Sequence, residues 1–150
     1  MLEIGTKALD FSLPDHTGKV HSLAEYKGKK FILYFYPADM SPGCTNQACS
    51  FRDMYPQIQE KGAVVLGVNA DSVDSHRKFM EEHGLPFTLL SDTEKVVLQA
   101  YDVWKERSMF GKPVMGIERS TYLIDENGII IKAFGKVKPK DNAKQMLKEL

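Results

Sequence analysis

A chain of 150 residues is long enough for one domain that withdraws roughly two-thirds of its unfolded surface from water, and it needs no disulfide to stay folded. Lys and Arg number 20, as do Asp and Glu, for a formal net charge of zero, which leaves no basic field to hold nucleic acid or an anionic membrane. The N-terminus is charged early and nowhere do about 18 apolar residues run together, so the expectation is a single soluble, cytoplasmic domain over residues 1–150, with small molecules or other proteins as partners.

Asp10–Pro14 and Lys19–Leu23, joined through Gly18, predict a small N-terminal hairpin. The apolar run 31–36 predicts a buried strand, followed by a helix from Gly43 or Cys44 to about Glu60, with Gly62 beyond it. Ala63–Ala70 is nearly continuous apolar and Val-rich, which suits a central strand covered on both faces. Asp71 or Ser72 caps a second helix through His83, stopped by Gly84 and Pro86; Phe87–Leu90 is a short strand; Ser91 and Glu94 have capping-box spacing for a third helix to about Tyr101. Trp104–Glu118 contains Gly111, Pro113 and Gly116, shows no clear period, and reads as a long loop of the kind that is usually functional. Ser120–Ile124 and Ile129–Phe134 flank Asn127-Gly128, a strong hairpin signal. Ala143, Met146, Leu147 and Leu150 make one apolar stripe on a C-terminal helix. Strands alternating with helices, then an antiparallel hairpin and a last helix, imply an α/β fold with a mixed central β-sheet flanked by helices.

The only two cysteines are Cys44 and Cys49, directly after the predicted strand 31–36 and a Ser41-Pro42-Gly43 turn. In a reducing compartment such a pair is more often catalytic or metal-binding than structural. A zinc site needs about four ligands, and His16, His21, His76 and His83 offer no suitably spaced pair near the cysteines. Cys44 is expected on the first turn of a helix, where unpaired N–H groups and the positive end of the dipole favour a thiolate. Thiol redox chemistry with Cys44 as nucleophile follows. The bland readings stand beside it: Cys49 as core filler, Ser41 as a turn residue, Arg119 as an exposed strand residue. A thiol-disulfide oxidoreductase is a further alternative, although its usual Cys-x-x-Cys spacing is exceeded here by two residues.

Pro37, Ser41 and Cys44 form Pro-x-x-x-Ser-x-x-Cys after a strand, and this segment resembles the peroxiredoxin active site. The match continues through Tyr34-Phe35-Tyr36-Pro37, Pro42-Gly43-Cys44-Thr45, Ala48-Cys49, Phe51-Arg52-Asp53 and Arg119-Ser120-Thr121-Tyr122-Leu123-Ile124-Asp125. The Cys-x-x-x-x-Cys spacing resembles the bacterioferritin comigratory protein, or Q-type, branch. The resemblance implies a thioredoxin-like fold and a thiol-dependent peroxidase for hydrogen peroxide and organic hydroperoxides, with no metal, haem or flavin. It further implies Cys44 as peroxidatic and Cys49 as resolving thiol, an intramolecular disulfide between them, recycling by thioredoxin or a similar thiol donor, and a monomer or weak homodimer. A non-catalytic holdase on the same fold is the opposing class.

Peroxide reduction needs a thiolate to attack one oxygen in line while the leaving oxygen is stabilised and protonated. Ser41, three residues before Cys44, is expected to bond the sulfur and the incoming oxygen, and Pro37 to shield the pocket from water. Arg119, 75 positions after Cys44, opens a strand expected beside the first, where the resemblance assigns it the catalytic Arg that favours the thiolate and polarises peroxide. Two departures from the branch stand out: Gln47 where Glu is frequent, and Ser41 where Thr is usual.

Overall fold

The computed structural model describes all 150 residues. In chain order the elements are β1 (Ser12–Pro14), β2 (Val20–Ser22), β3 (Lys30–Phe35), α1 (Pro42–Glu60), β4 (Ala63–Asn69), α2 (Val73–His83) and β5 (Thr88–Ser91). They continue with α3 (Val96–Ala100), β6 (Trp104–Met109), β7 (Lys112–Ile117), β8 (Ser120–Ile124), β9 (Ile130–Phe134) and α4 (Asn142–Glu149). Five strands form the central sheet in the order β5-β4-β3-β8-β9. β3, β4 and β5 run parallel, whereas β8 is antiparallel to β3 and β9 to β8. This is the mixed sheet of a thioredoxin-like fold, with β1 and β2 as the N-terminal hairpin.

Strand β3 divides the core by its own period of two. Phe31, Leu33 and Phe35 point to a cluster shared with the N-terminal hairpin, α3 and β8. Ile32, Tyr34 and then Tyr36 point to the opposite cluster, which holds α1, α2 and α4 together with Cys44. Gly67 on β4 makes room for this packing: a Cβ there would stand 2.9 Å from the Tyr34 ring and 2.7 Å from Leu89. No helix is long and apolar enough to cross a membrane.

The predicted caps of α2 hold, with Ser72 as N-cap and Gly84 left-handed at φ 58°. Two expectations need correction. Ser91 and Glu94 do not form a capping box, because Ser91 is spent as the last residue of β5, paired with Asn69. The third helix is only Val96–Ala100, and the Asp92 carboxylate accepts from Leu98 N (2.8 Å). Trp104–Glu118 is not a loop but the β6–β7 hairpin, closed by Phe110 and Gly111 with φ of 53° and 77°, the left-handed pair that a tight hairpin turn requires. Both faces of its outer half are exposed, so no buried face imposed the alternation by which strands are read.

Candidate active site

β3 delivers the chain to the carboxyl edge of the sheet, where a short loop turns it into α1. Ser41 takes the N-cap position in extended backbone and Pro42 the first helical position, as each residue type favours. Cys44 therefore lies on the first turn and is 1% exposed. No acidic residue occupies that turn, so the positive end of the helix is not offset there. The Ser41 hydroxyl accepts from Cys44 N (3.4 Å) and donates to Ala38 O (3.1 Å). Its proton is thus directed to the loop carbonyl, where the sequence suggested the sulfur; its role in this structure is to cap the helix. Pro37 is half-buried in the same loop.

Arg119 immediately precedes β8, and β8 does lie beside β3, with Ser120 opposite Phe35. Its guanidinium crosses the start of α1 so closely that a Cβ on Gly43 would stand 3.2 Å from Nη2. A side chain there would have to push the guanidinium aside by a few tenths of an ångström. Arg119 Nη1 donates to Gln47 Oε1 (2.6 Å), and Gln47 Nε2 donates to Asn142 Oδ1 (2.9 Å). Thr121 Oγ1 donates to the same oxygen (2.8 Å), and Asn142 Nδ2 to Gln145 Oε1 (3.2 Å). A buried amide chain thus ties Arg119 to α1, β8 and α4. Because Gln47 is neutral, it orients the guanidinium without cancelling its charge. Arg119 also opens onto a polar cleft of about 510 Å³ bordered by Lys105, Arg107, Glu118 and Lys136.

Asn142 was missed as a site residue, and Gln47 stood out only as a departure from the branch, without its partner. The signal for Gln47 was present: Cys44, Gln47, Ala48, Phe51, Tyr55 and Ile58 are the buried stripe of α1, and a polar residue on such a stripe must find a partner. Cys49 is half-buried, on the same helix, and both cysteines are free thiols. Five residues along one helix separate their Cα atoms by roughly 8–9 Å, beyond the ~7 Å reach of a disulfide. The structure thus brings Pro37, Ser41, Cys44 and Arg119 to one end of α1 and leaves Cys49 on a different face. A cavity of about 620 Å³ lies between the N-terminal hairpin, β5 and α3 and contains neither cysteine. No three His, Cys, Asp or Glu side chains converge to hold a metal.

Comparison with known proteins shows the family. The sequence profile of the AhpC/TSA family matches residues 4–133. The chain is 51% identical over 149 residues to peroxiredoxin Bcp of Bacillus subtilis, covering 99% of this chain and 95% of that protein. It is 50% identical over 137 residues to a putative peroxiredoxin Bcp of Coxiella burnetii, covering 91% of each. Among solved structures, a mutant of PrxQ from Xylella fastidiosa superposes with a TM-score of 0.94 at 35% identity, over 99% of this chain and 95% of that one. The bacterioferritin comigratory protein of Xanthomonas campestris, studied for alkyl peroxide reduction, superposes with a TM-score of 0.91 at 38% identity, over 99% and 95% of the two chains.

Proposed function

Because this chain belongs to the AhpC/TSA family, among its Bcp-type peroxiredoxins, and is on that ground a thiol-dependent peroxidase, we propose that Cys44 is its peroxidatic thiol and Cys49 its resolving thiol. The observation that carries this reading is the asymmetric placement of the two sulfurs: Cys44 is buried at the positive end of α1 beside an uncancelled guanidinium, and Cys49 is not. The Cys44 thiolate attacks one peroxide oxygen, an S–O bond forms as the O–O bond breaks, and the departing oxygen leaves with a proton as water or an alcohol. Arg119 stabilises the charge that develops on those oxygens, pre-oriented by Gln47 so that nothing reorganises at the moment of reaction. Ser41 supports the step by holding the first turn of α1 closed, and Pro37 by lining its mouth.

Cys49 then displaces water from the Cys44 sulfenate, giving an intramolecular disulfide. Thioredoxin or a similar dithiol returns both to thiols by exchange. Hydrogen peroxide and small organic hydroperoxides are the substrates, in a single domain over residues 1–150 working in the cytoplasm. Steady-state peroxide consumption with thioredoxin and thioredoxin reductase tests the reading: sustained turnover supports it, and consumption of one equivalent per chain followed by arrest would favour a non-catalytic module.

A further inference from the structure

The loop that carries Pro37 and Ser41 is anchored by a side chain absent from the chemistry above. The Asp39 side chain is buried, 2% exposed, and both of its oxygens are occupied. Oδ1 accepts from Tyr36 OH (2.6 Å) and Asn69 Nδ2 (3.4 Å). Oδ2 accepts from Ser75 Oγ (2.7 Å) and lies 2.7 Å from His76 Nδ1. The other ring nitrogen, Nε2, lies 3.0 Å from Leu90 O. A carbonyl oxygen only accepts, and a carboxylate already receiving hydroxyl and amide donors also accepts, so each ring nitrogen of the fully buried His76 faces an acceptor. Burial works against the Asp39 carboxylate, but the His76, Tyr36 and Ser75 hydrogen bonds outweigh it and hold the group below its usual range.

The backbone is fastened at the same point. Asp39 N donates to Asp71 Oδ2 (2.7 Å), which also accepts from Asn69 Nδ2 (2.8 Å). The loop is therefore joined to the end of β4, to α2 and, through His76, to β5. The next residue, Met40, is exposed and adopts φ 65°, a left-handed conformation that costs a non-glycine residue. Beyond Met40 comes Ser41 and the first turn of α1, the part that must open if Cys44 and Cys49 are to meet.

We propose that Asp39 and His76 are positioning residues for the peroxide step. Their buried ion pair holds Pro37–Asp39 in its reactive shape against α2 and the sheet, and makes Met40 the joint beyond which α1 opens for the disulfide. The inference rests on Cys44 as the peroxidatic thiol. Replacing His76 by an apolar residue takes a donor from the buried Asp39 carboxylate and frees the loop it held.

Two measurements on the full chain test it. In the reduced wild-type protein at neutral pH, nitrogen-15 shifts of the His76 ring should report two protonated nitrogens; a single protonated nitrogen would overturn the ion pair, whether or not any variant folds. In stopped-flow, His76→Leu should slow oxidation of Cys44 by peroxide by about tenfold or more, while the step from sulfenate to disulfide stays within about twofold. His76→Asn, whose amide nitrogen stands where Nδ1 stood, should restore the peroxide step to within about threefold of wild type. Equal slowing of both steps, or no recovery in His76→Asn, would reduce the pair to general stabilisation and overturn the proposal. If wild-type Cys44 itself resisted peroxide, the Cys44 assignment would fail instead, and the ring protonation would still decide the ion pair.

Discussion

Cys44 and Cys49 share one helix and differ in the cation each is given. Cys44 has Arg119, held by the neutral amide of Gln47. Three residues beyond Cys49 stands Arg52, whose guanidinium is committed to the Asp53 carboxylate (3.0 Å) and to His83 O (2.7 Å). One arginine keeps an uncancelled charge at the start of α1; the other is paired with a carboxylate and ties α1 to the end of α2. On the proposed mechanism, a nearby arginine is not enough to activate a thiol. What matters is whether the partner that orients the guanidinium also cancels it.

The strongest way to break this comparison is to remove each sulfur in turn. Cys44→Ser should abolish peroxide reduction, and Cys49→Ser should still form one sulfenate per chain but stall with thioredoxin, as read by thiol titration and coupled NADPH oxidation. Normal thioredoxin-linked turnover by Cys49→Ser would leave a one-cysteine mechanism. Next in size, Arg119→Met should slow stopped-flow oxidation of Cys44 by about 100-fold or more, the scale of losing one pre-oriented donor at a developing charge. An unchanged rate would mean that the guanidinium is a bystander.

Substitutions at Gln47 separate orientation from charge. Gln47→Leu leaves Arg119 charged but unheld and should slow the same step by about tenfold. Gln47→Glu keeps the hold but supplies a neutralising carboxylate, as Asp53 does for Arg52, and should slow it by about threefold. The reverse ranking would mean that charge outweighs orientation. Ser41→Ala removes the N-cap of α1 and should cost about 1 kcal/mol, seen as a faster sulfenate-to-disulfide step with a smaller effect on peroxide attack.

The smallest expected signal is local. One equivalent of peroxide should increase amide exchange from about Ser41 to Phe51 and little elsewhere, because the first turns of α1 must unwind to bring the sulfurs into bonding reach. Unchanged protection there, alongside a proven Cys44–Cys49 bond, would contradict an opening confined to this segment.

The apolar run of β3, the Ser41-Pro42-Gly43 entry to α1, the Asp71-Ser72 start and Gly84 stop of α2 and the β8–β9 turn are short-range signals written within a few residues, and all four were legible in the sequence. So was the placement of Cys44 on the first turn of α1, because strand, turn and helix start follow one another without a gap. Partnership across the fold was not. Arg119 and Gln47 are 72 positions apart, Gln47 and Asn142 are 95, and Asp39 and His76 are 37. Nothing local selects one such polar pair over another; the choice is made when sheet and helices pack and each buried donor must find an acceptor. The β6–β7 hairpin is the complementary case, since its exposed outer half carries no buried face for a sequence pattern to record. Sequence alone therefore determined which sulfur stands at the start of α1, and only the tertiary structure decided which groups hold the charge beside it.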